Sequence, residues 1–190
     1  LILTVVTGNA HKAEEVAAFF LGTVTVERVA LDLLEIQSEN LEDIAKAKAA
    51  DAYRQIRKPL IVDDTSFAVD ALNGFPGPYA AYVLSTIGNR GILKLMEGAG
   101  NRKAHFTTAI GYADENGIRV FTGAVHGTVT DAPRGAGGFG YDPIFEYEGQ
   151  TLAEMPLAEK NMVSHRSRAL AAFHEWFVHE RLDGRTDANG

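Results

Sequence analysis

The spacing of apolar and polar positions changes several times along this chain, and each change marks an element. Residues 1–6 form an unbroken apolar run rich in β-branched side chains, as a buried strand requires, and the run breaks at Thr7-Gly8-Asn9. Ala13, Val16, Ala17 and Phe20 then recur at helical spacing, with Asn9 placed to cap the helix and Gly22 to stop it. Residues 23–30 alternate like a second strand, and 31–37 follow as a less regular segment carrying Asp32 and Glu35. Leu41–Ile56 reads as a helix with one stripe of Leu41, Ile44, Ala45, Ala49, Ala52 and Ile56, closed by Pro59. Lys48 lies on that stripe, where a lysine either snorkels past the core edge or points into a cleft; on the residues alone, snorkelling is the ordinary outcome.

Leu60-Ile61-Val62 is a short apolar run that stops at Asp63-Asp64 and the hydroxyls of Thr65 and Ser66, as a strand does when it ends in a polar cleft. Residues 70–79 are dense in Gly and Pro and predict a shaped loop. Residues 80–87 and 92–96 read as helices separated by Gly88-Asn89-Arg90-Gly91. Residues 105–114 and 117–130 predict a long antiparallel hairpin around Asp114-Glu115-Asn116-Gly117, with Phe106, Thr108, Ile110 and Tyr112 on one face and Thr107, Ala109 and Gly111 on the other. Residues 151–161 are polar and turn-rich, and a last helix is expected from about Ser164, its cap, to Leu182. Residues 183–190 read as a polar, disordered tail. With no repeat and no linker, the chain is one α/β domain over 1–182 with an antiparallel pair set into it.

Composition narrows the function classes. An apolar fraction of 46% and a charged fraction of 23% over 190 residues fit a soluble domain with a real core. A formal net charge of −7 argues against a nucleic-acid polymer as partner, because duplex binding relies on cations that neutralise phosphates. The chain holds no cysteine, which excludes disulfides, thiolate metal sites and thiol nucleophiles. No apolar run reaches spanning length and the opening lacks a signal peptide's basic start, so a cytoplasmic protein without a membrane partner is expected. Leu1 is not an initiator, and residues are expected to precede it.

Three places carry candidate chemistry. Asp63 and Asp64 are adjacent, so on a strand they point to opposite faces, and their mutual repulsion is relieved by a cation or a shared proton. Hard oxygen ligands of this kind suit magnesium, which takes one or two carboxylates plus substrate phosphates. The turn Thr7-Gly8-Asn9 opens a helix and offers backbone N–H groups and a positive dipole end to an anion, with Lys12 in the first turn. It is not a P-loop, which needs a longer glycine loop and a Lys-Ser/Thr pair. Gly135-Ala136-Gly137-Gly138-Phe139-Gly140 satisfies G-x-G-x-x-G but is flanked by Pro133 and Asp142-Pro143 instead of a strand and a helix, so the dinucleotide reading fails. Its glycines let a backbone approach a ligand, with Phe139 and Tyr141 as aromatic platforms and Asp142 as acceptor. Lys160 and His165-Arg166 gather cations at a helix start, where the dipole disfavours them, and point to an anionic or acceptor-rich ligand.

Taken together and in order, Thr7-Gly8-Asn9-Ala10-His11-Lys12, Val62-Asp63-Asp64-Thr65, Asn73-Gly74-Phe75-Pro76-Gly77-Pro78-Tyr79, Gly138-Phe139-Gly140-Tyr141-Asp142-Pro143, Ala153-Glu154-Met155-Pro156, Glu159-Lys160-Asn161 and Ser164-His165-Arg166 resemble the inosine triphosphate pyrophosphatase, or Ham1-like, family, from Leu3 to about Phe177. The resemblance implies an elongated α/β fold of two lobes around a long mixed sheet with flanking helices, an active-site cleft between the lobes, and a homodimer. It implies hydrolysis of ITP, dITP and XTP to the monophosphate and pyrophosphate with Mg2+. Carried over by position, Thr7, Gly8, Asn9 and Lys12 would seat the phosphates and Lys48 would reach them. Asp63 and Asp64 would hold magnesium and activate water, with Asp64 the base and Thr65 on the substrate. Glu35 is the further metal ligand, with Glu39 as the alternative because the spacing to the lysine differs from the family's. Phe139, Gly140, Tyr141 and Asp142 would enclose the base, and Lys160, His165 and Arg166 would read its edge. Guanine shares the 6-oxo group, so its rejection must rest on the 2-amino position. The alternatives are a pyrophosphatase for other modified nucleotides and a nucleotide-binding module without catalysis.

Overall fold

Backbone pairing, more than side-chain polarity, sets where the strands of this protein begin and end. The structure is a computed structural model that describes residues 2–179; the tail expected over 183–190, and the end of the last helix beyond 179, lie outside the described residues. Strands β1 (Ile2–Val6), β2 (Thr25–Val29) and β3 (Leu60–Val69) are parallel, joined by helices α1 (Ala10–Phe19) and α2 (Leu41–Ile56). Beyond them the short β4 (Pro76–Gly77) folds back on β3, and α3 (Ala80–Thr86) and α4 (Gly88–Leu95) lead into the long hairpin of β5 (Lys103–Asp114) and β6 (Gly117–Val129). Strands β7 (Phe145–Tyr147) and β8 (Gln150–Thr151), then α5 (Leu157–Val163) and α6 (His165–Val178), complete the chain. The mixed sheet runs in the order β2-β1-β3-β5-β6-β7-β8, with β4 attached to β3.

Three expectations change. The strand read as ending at Asp63 continues to Val69, because β5 pairs with β3 without interruption from Leu60↔Ala113 to Val69↔Ala104. The second of the two short helices starts at Gly88, where Gly91 N–H already donates to Ile87 O at 2.9 Å, so tertiary packing overrides glycine's weak propensity. The polar stretch 151–161 contains the start of α5, closed by Lys160 N–H to Pro156 O and Ser164 N–H to Lys160 O, both 2.9 Å.

The core falls into clusters that meet at β3. On one face α1 and α6 cover Leu3, Val5, Ile61, Ile110 and Tyr112. On the other, α2 covers Val6, Leu60, Val62 and Ala113. Farther along the same strands, Phe67, Val69, Phe106 and Val125 join α3, α4 and β7 in a separate cluster. Asp63, Asp64, Thr65 and Ser66 therefore sit between the apolar ends of β3, at the seam of the cores.

Two glycines bring the helices onto the sheet. A Cβ at Gly111 would lie 2.7 Å from Ala45 O of α2, and one at Gly123 would lie 2.3 Å from Ala169 N and 2.5 Å from His165 O of α6. The second contact fixes the end of α6 that carries His165 and Arg166. Gly123→Val should cost roughly 1–3 kcal/mol of overpacking and displace that helix end. Urea titration should show the lost stability alongside reduced turnover, and an unchanged midpoint with full activity would contradict this packing.

Candidate active site

The site lies where the sheet loses a neighbour. Strand β1 pairs with β3 only as far as Val6↔Val62, and the chain then leaves the sheet at Thr7, so the described part of β1 gives β3 no partner alongside Asp63. Successive side chains of β3 alternate between faces. Asp63 and Thr65 face α1 and α6, where they meet Arg166; Asp64 faces α2, where it meets Lys48. The two adjacent acids thus belong to different charge clusters.

The first cluster is buried. Arg166 is 1% exposed and donates through Nε to Asp63 Oδ2 at 2.6 Å, through Nη2 to Asp63 Oδ1 at 3.2 Å and Thr65 Oγ1 at 3.1 Å, and through Nη1 to Glu15 Oε2. Lys160, also 1% exposed, donates to Glu15 Oε1 and to Asp142 Oδ2, the latter at 2.6 Å. Lys12 reaches Asp63 Oδ1 at 2.6 Å and its carbonyl at 3.1 Å. Three cations face three carboxylates, so the cluster is charge-balanced, contrary to the bare cationic group expected from Lys160 and Arg166. The residue that sequence reasoning missed is Glu15, 3% exposed on α1. An acid three positions after Lys12 and adjoining Val16 on the buried side of α1 was the available signal.

Counting donors shows what this cluster has left to offer. An ammonium has three N–H groups and a guanidinium five; among the described residues Lys160 uses two and Arg166 four. Each cation keeps one donor for a ligand acceptor. His165 is buried, stacks on Phe106 with ring centroids 4.6 Å apart, and has an Nδ1 with no hydrogen-bond partner. Burial, helped by the nearby charges of Arg166 and Lys160, pushes its pKa well below the usual value, so the ring is neutral.

The two aspartates differ in the same electrostatic terms. Burial pushes the Asp63 carboxyl up, but Arg166 and Lys12 outweigh it and hold it well below the usual carboxylate range. At Asp64 burial prevails over Lys48 and Lys12, and the pKa is raised. Lys48 bridges Asp64 Oδ1 at 2.5 Å and Glu35 Oε1 at 2.6 Å, so it points into the cleft and does not snorkel. Asp64 Oδ2 is buried without any hydrogen-bond partner. Glu39 is exposed, and neither it nor Asp64 lines the cavities described next.

Two cavities adjoin, sharing Asn9, Lys12 and Ala81. The polar one runs from the Thr7-Gly8-Asn9 turn past Lys48 and Glu35 to Asp63. In that turn Thr7 Oγ1 accepts from Asn9 N–H at 3.1 Å, and Asn9 Oδ1 caps α1 through His11 N–H at 3.0 Å. The mostly apolar cavity is walled by Leu84, Phe106, Phe139, Gly140 and Tyr141 and floored by the Lys160–Arg166 cluster. Gly138, at φ +64°, lets Asp142 Oδ2 accept from Phe139 N–H at 2.9 Å, where a Cβ would strike that oxygen. Tyr141 is a wall and not a free platform: its ring stacks on Phe67 at 4.5 Å and its hydroxyl donates to Ala80 O at 2.6 Å, leaving it 4% exposed. Phe139 remains half-buried at the cavity, with Lys160 Nζ 4.7 Å and Arg166 Cζ 5.6 Å from its ring centre.

Fold and site together define an α/β protein with an acid-and-lysine groove opening onto a mostly apolar pocket. The chain belongs to the Ham1 family, whose sequence model matches residues 3–176. It is 49% identical over 173 residues to the dITP/XTP pyrophosphatase of Methanopyrus kandleri, covering 90% of this chain and 91% of that one. It is 44% identical over 179 residues to inosine triphosphate pyrophosphatase 2 of Trypanosoma cruzi, covering 92% and 91%. Among solved structures, a HAM1 protein from Coxiella burnetii superposes with a TM-score of 0.81 at 26% identity, over 93% of this chain and 98% of that one.

The network makes Asp63 a structural residue. Asp63→Ala strips Arg166 and Lys12 of a buried partner and should cost roughly 3–5 kcal/mol. Asp64→Asn, which removes a carboxylate that burial already opposes, should leave the denaturant midpoint much closer to wild type. Equal midpoints for the two variants would contradict the division drawn between the acids.

Proposed function

We propose that this protein hydrolyses non-standard purine nucleoside triphosphates such as ITP, dITP and XTP to the monophosphate and pyrophosphate, removing them from the nucleotide pool. The observation that carries the reading is the junction of a polar groove with a mostly apolar pocket whose floor offers two single donors beside a neutral histidine. Relatives of 44–49% identity over nine-tenths of the chain bear names for this activity. The 6-oxo group of inosine or xanthine accepts from Lys160 and Arg166, whereas the 6-amino group of adenine is a donor and meets the N–H donors of those two cations. A site built on required hydrogen bonds discriminates by up to roughly 10⁴–10⁵.

At the reacting end, the turn Thr7-Gly8-Asn9 with Lys12 seats the phosphates, and Lys48 follows the charge that builds on departing pyrophosphate. Asp64 takes the proton of the attacking water on its unpartnered Oδ2, while Asp63 holds Arg166 and Lys12 in place. The donor set fits Mg2+: Glu35 and Asp64 are hard oxygen ligands on one lysine, and magnesium takes one or two carboxylates plus substrate phosphates. When bound, magnesium would neutralise phosphate charge and polarise the attacked bond. Asp63, with both oxygens held by cations, is the weaker candidate ligand. A homodimer acting on free nucleotides in the cytoplasm completes the proposal; among the described residues no helix is long and apolar enough to cross a membrane.

Incubation with ITP, dITP, XTP and the standard triphosphates in magnesium, followed by separation of products, should yield the purine monophosphate and pyrophosphate; a diphosphate with orthophosphate would contradict the reading. Asp64→Asn should remain folded and lose turnover by about 10²–10⁴ at least, and an active variant would remove Asp64 from the base role. Because Asp64 must be ionised to act and burial raises its pKa, kcat should fall as pH drops through a value above the ordinary carboxylate range. An acid limb at or below that range would contradict the assignment.

A further inference from the structure

The base pocket of this chain has a support that lies outside it. His11, on the first turn of α1, stacks on Phe139 with ring centroids 5.3 Å apart and planes within 12° of parallel. Phe139 lines the apolar cavity and His11 does not, while the cations that line that cavity approach the same ring. The imidazole is 60% exposed, and its Nδ1 lies 3.5 Å from Glu14 Oε2. A half-buried phenylalanine on a glycine-rich loop has few neighbours to hold its plane, since Gly138 and Gly140 flank it and neither carries a side chain.

We propose that His11 is a positioning residue that backs Phe139 from the side away from the pocket, so that the phenyl ring presents a fixed face to the purine. The inference rests on the reading of this site as one for a purine triphosphate and adds to it a residue that acts through Phe139. Its position gives it a second consequence. His11 adjoins Lys12 on the helix whose start seats the phosphates, and the stack therefore ties the phosphate end of the site to the loop that covers the base. A parallel aromatic pair of this kind stabilises the orientation of both rings.

The test compares a substrate that has a base with a ligand that lacks one. In His11→Ala the KM for ITP should rise about 3- to 10-fold with kcat little changed, and in His11→Phe, which keeps the stack, it should return to within about twofold of wild type. Inorganic tripolyphosphate, used as a competitive inhibitor, has nothing to stack and should bind all three proteins alike. Glu14→Ala should leave the KM for ITP unchanged, since the ion pair is not what holds the ring. An unaltered KM in His11→Ala, failure of His11→Phe to restore it, or equal weakening toward ITP and tripolyphosphate would each overturn the inference while leaving the pyrophosphatase reading intact. Wild-type protein that neither binds nor hydrolyses ITP would overturn that reading, and this inference with it.

Discussion

A buried guanidinium holds this structure and its site together. Arg166 begins α6, and its partners Asp63 and Glu15 lie on the central strand β3 and on α1, so one side chain fixes a strand and two helices against one another. Such a group is tolerable in the interior only when its donors are matched, because an unpaired buried charge costs several kcal/mol. Matching here requires Glu15 to be shared with Lys160, which in turn requires Asp142 from the glycine loop. The cluster therefore joins elements that are remote in sequence through hydrogen bonds that tolerate little displacement.

That arrangement also explains how strongly cationic side chains can serve an uncharged ligand edge. Four of five donors on Arg166 and two of three on Lys160 are consumed within the protein, and the three carboxylates cancel the cluster's charge. What remains is directional hydrogen bonding beside a neutral imidazole, where a mismatched donor leaves buried groups unpaired. The phosphate end is organised differently: Lys12 and Lys48 line an open groove with Glu35 and Asp63, and Asp64 holds Lys48, where long-range charge is useful. The alternation of β3 divides the cations between the two acids, since Asp63 holds Arg166 and Lys12 and Asp64 holds Lys48.

Much of the fold could be read from the chain. Periodicity placed β1, α1, α2, the β5–β6 hairpin and the cap of α6, because each has a long enough pattern or a turn of the right type. It failed at β3, where a polar tetrapeptide imitates a strand end; only the uninterrupted ladder with β5, a long-range fact, shows that the strand resumes at Phe67. It also failed at α5, a helix too short to display a period. In the site, residues of the 7–12, 62–65 and 138–143 segments, with Lys160, His165 and Arg166, line the two cavities, whereas none of 73–79 or 153–156 does, and the adjacency of the cavities at Asn9 and Lys12 is what sequence order alone could not give. Lys48 looked like a snorkelling lysine because its helix neighbours are apolar, and its true partner, Asp64, lies across the sheet seam. Glu15 was lost among ordinary helix residues, although cations clustered at Lys160 and Arg166 demand buried carboxylates, and their partners are Glu15 and Asp142, not the adjacent Glu159.

The central claim is that this balanced cluster selects an acceptor at the 6-position of a purine. It is tested most directly by kcat/KM for ITP against ATP on the same wild-type preparation in magnesium. The account predicts a preference for ITP of at least about 10²-fold, as required hydrogen bonds in a closed site should give; comparable values for the two nucleotides would contradict it.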